Sequence, residues 1–263
     1  FTRREEYLAE APMGVLCVTA ACDVQVDRVE ISFVGWGRGR KSWDLDHVKV
    51  HGDPSSSRVW KDVANQLSRT FAHEAPGVHL GVDVTLVDSG YATNDVYAFC
   101  REMVHKRVFA IKGVHGQGRP VIVAGKRQKQ GNRRVTLYNI GVDDAKSLLY
   151  EYLKRTDPNE DGHCHFPIRD NYDQEYFRQL TCEKIRIIHK NGYPERRWIK
   201  EDHQANEALD MRVYNLAAII LLNPVWPSLE KRISRLSRDQ KDSENSPSKS
   251  SKKKESSYVS SWR

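Results

Sequence analysis

The stretch VLCVTAACDVQVDRVEISFVGWGRG, residues 15–39, decides how the rest of the chain is read. Leu16, Val18 and Ala20 alternate with Cys17, Thr19 and Ala21, all small or apolar, as a strand covered on both faces requires. The apolar run stops at Asp23. After a turn, Val29, Ile31 and Phe33 form one face of a returning strand whose far end is loosened by Gly35, Gly37 and Gly39. A carboxylate at the mouth of a buried strand is costly unless a cation compensates it. Asp23 is therefore either a turn residue of the hairpin or part of a cation site.

Outward from this hairpin, KSWDLDHVKVH (41–51) predicts a third strand with Trp43 and Leu45 inward. Val59, Val63, Leu67 and Phe71 recur at helical spacing and predict a helix over 57–71, with a serine of GDPSSS as N-cap. VHLGVDVTLVDSG predicts a strand through Val82, Val84 and Leu86 that emerges at Asp88, then a helix over 93–105 and a short buried strand over 108–114. Three strands, helix, strand, helix, strand specify a mixed α/β sheet whose first part is antiparallel. Residues 115–134 read as a mobile, basic, glycine-rich excursion, VTLYNI as a strand, 143–155 as a helix and HFPI as a short strand. A helical turn or two follows at 173–180, then a hairpin of 184–189 with 196–200 closed by Asn-Gly. Leu209, Val213, Leu216, Ala217 and Ile220 predict a buried helix over 206–222, ended by Asn-Pro. Leu229, Ile233 and Leu236 stripe a short basic helix, and from residue 239 the chain reads as disordered. The expected domain plan is an N-terminal helical remnant or linker (1–12), one α/β domain (13–225), and a basic amphipathic helix with a disordered tail (226–263).

The 263 residues, 39% of them apolar, suffice for a real core. The net charge is +7, but residues 228–263 hold 10 Lys or Arg against 5 Asp or Glu, which leaves +2 for the body. The positive balance sits in the tail and points to an anionic or acidic partner. Five cysteines without a CxxC pair read as reduced thiols of an intracellular protein. No run of about 18 apolar residues spans a membrane, and no signal peptide is visible. The chain begins at Phe1 with TRREEYLAEA, which reads as a helix cut from something longer.

Three carboxylates stand out by position. Asp23 and Asp88 each end a strand, and Asp210 lies within the buried helix, where pairing with Arg212 or Arg178 on the helix surface is the structural alternative. If the two strands are neighbours, their carboxylates converge and the helix adds a third. Such a cluster raises its own pKa values unless divalent cations bind, and oxygen-only ligands favour Mg²⁺ or Mn²⁺. Two ions about 4 Å apart would clamp the attacking water and the leaving oxygen of a phosphodiester. Lys112 could touch the scissile phosphate or close a salt bridge at its strand end. Lys126, Arg127, Lys129, Arg133 and Arg134 form a basic segment suited to DNA phosphates, or else a solvated loop.

The series DVQVDR, EISFVGWGRG, KSW, VDSGY, IKG, LYNIGVDDAK, HFP and NEALDMRVYNLAA resembles, in order and spacing over about 15–222, the phage terminase large subunits of the GpA type, the lambda-like DNA-packaging family. The resemblance implies an endonuclease domain of RNase H-like fold, a mixed β-sheet flanked by helices. It implies metal-binding acids at Asp23, Asp88 and Asp210, with Glu207 as a further ligand or a plain helix-surface acid. By the same resemblance the protein cuts concatemeric double-stranded DNA in the host cytoplasm, leaving 5′-phosphate and 3′-hydroxyl ends, beside a terminase small subunit and a portal or prohead. No GxxxxGK[ST] occurs in this chain, so the packaging ATPase of such proteins is not expected within it. Two rival readings remain: a non-catalytic DNA- or capsid-docking module, and another RNase H-like nuclease such as a junction resolvase.

Overall fold

The computed structural model describes residues 1–130, 133–190 and 192–245. After β1 (Arg4–Glu5), strands β2 (Cys17–Val24), β3 (Arg28–Trp36) and β4 (Ser42–His51) form an antiparallel meander. Helix α1 (Ser57–Leu67) starts where the Ser56 hydroxyl accepts the Arg58 N–H. β5 (Thr70–Ala72) then pairs antiparallel with β6 (His79–Asp88), which lies parallel to β2. α2 (Thr93–Glu102) leads to β7 (Val108–Val114), parallel to β6. β8 (Ile122–Gln130) and β9 (Arg133–Gly141) form a hairpin that sets β9 parallel to β7. α3 (Val142–Lys154), β10 (Cys164–Pro167) and α4 (Gln174–Leu180) follow. The hairpin of β11 (Lys184–Lys190) and β12 (Tyr193–Ile199) stands apart as a two-stranded sheet, before α5 (Glu207–Leu222) and α6 (Trp226–Asn245).

The main sheet runs β1-β10-β4-β3-β2-β6-β7-β9-β8. Its centre, β4-β3-β2-β6-β7, has three antiparallel strands followed by two that run parallel to β2, the RNase H-like arrangement. Alternation along β2 divides the core in two. Val18, Ala20 and Cys22 face a layer that includes Val59 and Val63 of α1, Val96 and Phe99 of α2, and Ile233 of α6. Cys17 and Ala21 face α3, α4 and α5. Asp23 follows with odd parity and belongs to the α5 side.

Four expectations are corrected. The first residues are not helical: Arg4–Glu5 pairs with Phe166–Pro167, and the Arg3 guanidinium donates to the Leu153 and Arg155 carbonyls, tertiary partners that override a helix-prone sequence. The helix expected over 57–71 ends at Leu67, and Phe71 is buried in β5 against Phe33. The excursion expected over 115–134 contains an edge strand, β8, whose basic residues are the charges an exposed sheet edge favours and which mask its alternation. α6 continues past residue 239 to Asn245 with Ile233 buried, so the short helix is a 20-residue one. The disorder expected beyond it falls on 246–263, outside the described residues. Among the described residues no single helix is long and apolar enough to cross a membrane.

Candidate active site

The parallel strands β2, β6, β7 and β9 end at one edge of the sheet. Cys22 pairs with Val87, so Asp23 and Asp88 occupy the next step of adjacent strands, about 5 Å apart across the ladder. Asp88 shares parity with Val84 and Leu86, which face the α5 layer. Both carboxylates therefore issue on the side that α5 covers. Helix α5 is locked to the sheet by polar keys. The Thr19 hydroxyl donates to Asn215 Oδ1 at 2.6 Å, and Asn215 Nδ2 donates to the Ser32 carbonyl at 3.3 Å. Arg212 Nη2 donates to Ser42 Oγ at 2.9 Å and Nη1 lies 3.5 Å from Asp44, both residues of this ion pair being fully buried. These contacts fix the rotation of α5, which turns Asp210 and Glu207 in its first turns toward the strand ends.

The electrostatics record that convergence. Burial, then the charges of Asp88, Asp210 and Glu207, push the Asp23 carboxyl up to about 7, against an opposing hydrogen bond from Gln25 at 2.5 Å. Burial pushes Asp210 up to about 6, with Glu183 and Asp88 adding to it and Lys146 opposing. Asp88 is raised by burial, and the Gly90 and Ser89 amides and Lys112 oppose the rise. The Tyr214 hydroxyl, one turn after Asp210, is raised by burial and by Asp210, Asp88, Asp23 and Glu183 together. Across the ladder from Asp23, Glu30 is buried too, yet hydrogen bonds from His47 and Arg28 outweigh desolvation and hold it at about 2. Two carboxyls raised toward neutrality beside one held ionised by its cationic partners mark a deficit of positive charge at the Asp23–Asp88–Asp210 edge.

Lys146 is the missed member. Its buried ammonium donates to Glu183 Oε1 at 2.6 Å and lies 3.4 Å from Asp210 Oδ1, while Asn206 Nδ2 bridges Glu183 (3.0 Å) and Asp210 (2.9 Å). Burial works against its charge, but Asp210 and Glu183 outweigh it and raise its pKa. A signal was present: Lys146 falls among Val142, Ala145, Leu149 and Tyr152 on the buried face of α3, where a lysine needs an acid. The cations expected for Asp210 are spent elsewhere, Arg212 on Asp44 and Arg178 on Glu175. Glu207 lies 3.8 Å from Arg28, which also pairs with Asp27 and Glu30.

An all-carboxylate donor set short of positive charge fits hard divalent cations. Among the described residues, no three acidic, histidine or cysteine side chains already surround one point as ligands would. Asp210 is engaged with Lys146 and Asn206 instead, and must be shared with any ion that arrives. Of the expected DNA contacts, Lys112 is exposed and follows Ile111, the register partner of Asp88, within β7. Arg134 is exposed on β9 opposite Lys129. Lys126, Arg127 and Lys129 lie in β8 and Arg133 opens β9, but the side chains of these four fall outside the described residues.

Comparison with known proteins gives three findings. Residues 1–230 match the family "Terminase large subunit gpA, endonuclease domain". The chain is 30% identical to the terminase large subunit of Escherichia phage lambda over 230 residues, 85% of this chain and 35% of that protein. It is 29% identical to the terminase large subunit of Enterobacteria phage P21 over 220 residues, 81% of this chain and 34% of that protein. It thus spans about a third of the length of these relatives. Among solved structures, the nuclease domain of the g2p large terminase from bacteriophage SPP1, with bound Mn, aligns with a TM-score of 0.39 and 13% identity, covering 76% of this chain and 85% of that one.

Proposed function

Because this chain belongs to the family of the terminase large subunit gpA endonuclease domain, we propose that it is a divalent-metal-dependent endodeoxyribonuclease that cuts concatemeric viral DNA for packaging. One observation carries the chemistry: acids from β2, β6 and α5 meet at one sheet edge, where burial and mutual repulsion hold Asp23 and Asp210 in need of cations. In this reading Asp23, Asp88 and Asp210 hold two Mg²⁺ or Mn²⁺ ions, with Glu207 at the rim. The bound ions would supply activation of water and neutralisation of charge at the phosphodiester. The chain's own residues orient the ligands. Gln25 holds Asp23, the Gly90 amide holds Asp88, and Lys146 with Asn206 holds Asp210. In this reading Lys112, next to the β7 register partner of Asp88, meets the substrate's phosphate. The substrate is double-stranded DNA in the host cytoplasm, and a terminase small subunit and a portal or prohead are the partners.

Alanine at Asp23, Asp88 or Asp210 is expected to abolish Mn²⁺-dependent nicking of supercoiled plasmid with the circular dichroism spectrum unchanged. Full activity in any one variant would remove that residue from the set. Mn²⁺ should also raise the melting temperature of the parent chain and not of Asp88→Asn. A docking module with merely structural acids would show no such shift.

A further inference from the structure

The β11–β12 hairpin concentrates positive charge. Residues 184–200 hold six Lys or Arg against one acid, Glu195, a net of +5, whereas residues 1–227 together net only +2. The rest of the body is therefore net −3, and a hairpin outside the main sheet carries the positive charge of the whole region. Its register sets Arg186 directly opposite Arg197, and both are exposed. Like charges facing each other across a ladder are destabilising, an arrangement that an external polyanion relieves. Glu195 is taken by Arg197 at 3.0 Å, which leaves Lys184, Arg186 and Arg196 with no carboxylate on their own hairpin.

The hairpin is also anchored at the acid cluster. Glu183, the residue before β11, is the acid that Lys146 bridges to Asp210. At the other strand, Trp198 Nε1 donates to the Asp143 carbonyl at 3.0 Å and the Trp198 ring packs on Tyr150 at 4.7 Å. Seven residues per strand reach about 20 Å from that root, the axial length of roughly six base pairs. Ile187 and Tyr193 stand exposed toward the far end.

We propose that β11–β12 is a DNA-backbone arm, with Lys184, Arg186 and Arg197 on one face binding phosphates that flank the bond to be cut. It rests on the nuclease reading for the identity of the polyanion. Phosphate contacts of this kind position the duplex without reading its sequence.

The test compares the parent chain with Arg186→Gln/Arg197→Gln by fluorescence anisotropy on a short duplex in Ca²⁺ across a salt series. The variant should bind at least about tenfold more weakly at low salt, with the slope of log K against log salt reduced by about 2, one phosphate per arginine. Its Mn²⁺-induced melting shift should match the parent's, which reports an intact acid cluster. The single variant Arg186→Gln should lose about half of the slope change. Unchanged affinity and slope would overturn the arm, as would an equal loss in Arg58→Gln/Lys61→Gln on exposed α1 or no duplex binding by the parent. If the slope falls as stated but Asp88→Asn keeps the Mn²⁺ shift, the arm stands and the nuclease reading fails.

Discussion

Asp23 is 6% exposed, and its carboxyl titrates at about 7 in the folded chain, against about 4 for an unfolded aspartate. Between those values the native state holds a proton that the unfolded state has released, so native stability falls as pH rises through that window in the absence of metal. Asn at position 23 removes the penalty. In EDTA at pH 8, Asp23→Asn should therefore resist urea better than the parent by roughly 2–4 kcal/mol, and the gap should close near pH 4. Coincident unfolding curves at pH 8 would show that the site carries no such strain. Lys146 has the opposite sense. Lys146→Met leaves Glu183 and Asp210 facing each other without a cation, which costs about 3–5 kcal/mol at neutral pH. Mn²⁺ should raise the melting temperature of this variant more than that of the parent, since no ammonium competes for Asp210. An equal or smaller rise would show that Lys146 does not compete with the ion.

Among the elements, α5 matters most to the site because buried polar keys, rather than one apolar stripe, set its rotation. Arg212→Met should destabilise the chain by about 3–5 kcal/mol, because Asp44 is left fully buried without its guanidinium partner, keeping the Tyr176 hydroxyl as a hydrogen-bond donor. Adding Asp44→Leu should recover most of that loss in a double-mutant cycle, and additive losses would refute the coupling. The same elements show what could be read beforehand. The meander, α3 and α5 carry periodic apolar residues, and the positions of Asp23 and Asp88 at strand ends were visible because apolar residues recur at alternate positions up to each. β8 was hidden by the charges of an edge strand. The end of α1 was hidden because Phe71 continues its four-residue spacing while sitting in β5. Glu183 escaped because it looks like an ordinary surface charge in its own segment, and Lys146, though on the apolar face of α3, has its partner acid 37 residues further along the chain.

At the scale of the molecule, a helix core lies on each face of the sheet, and α6 closes the face opposite the acids. Ile233 is its buried anchor, so Ile233→Ala should lower stability by about 2–4 kcal/mol in urea unfolding while leaving plasmid nicking intact below the melting temperature. Loss of nicking in the folded variant would mean that α6 reaches the cutting edge. The mixed α/β sheet with its antiparallel first part was legible from the sequence because the order of strands and helices restricts the topology. The convergence of the acids was not, because it depends on which way α5 is turned. Asp23 and Asp88 come together when β2 and β6 pair, but Asp210 follows 122 residues after Asp88 and arrives only when α5 docks. Contacts so distant along the chain form late in folding. During synthesis, a nascent chain that has made its central strands holds only two of the three acids. On the proposed nuclease reading, the metal centre is complete only once α5 has been made and docked, 187 residues after Asp23, so a chain that stops short of α5 lacks one of the three acids.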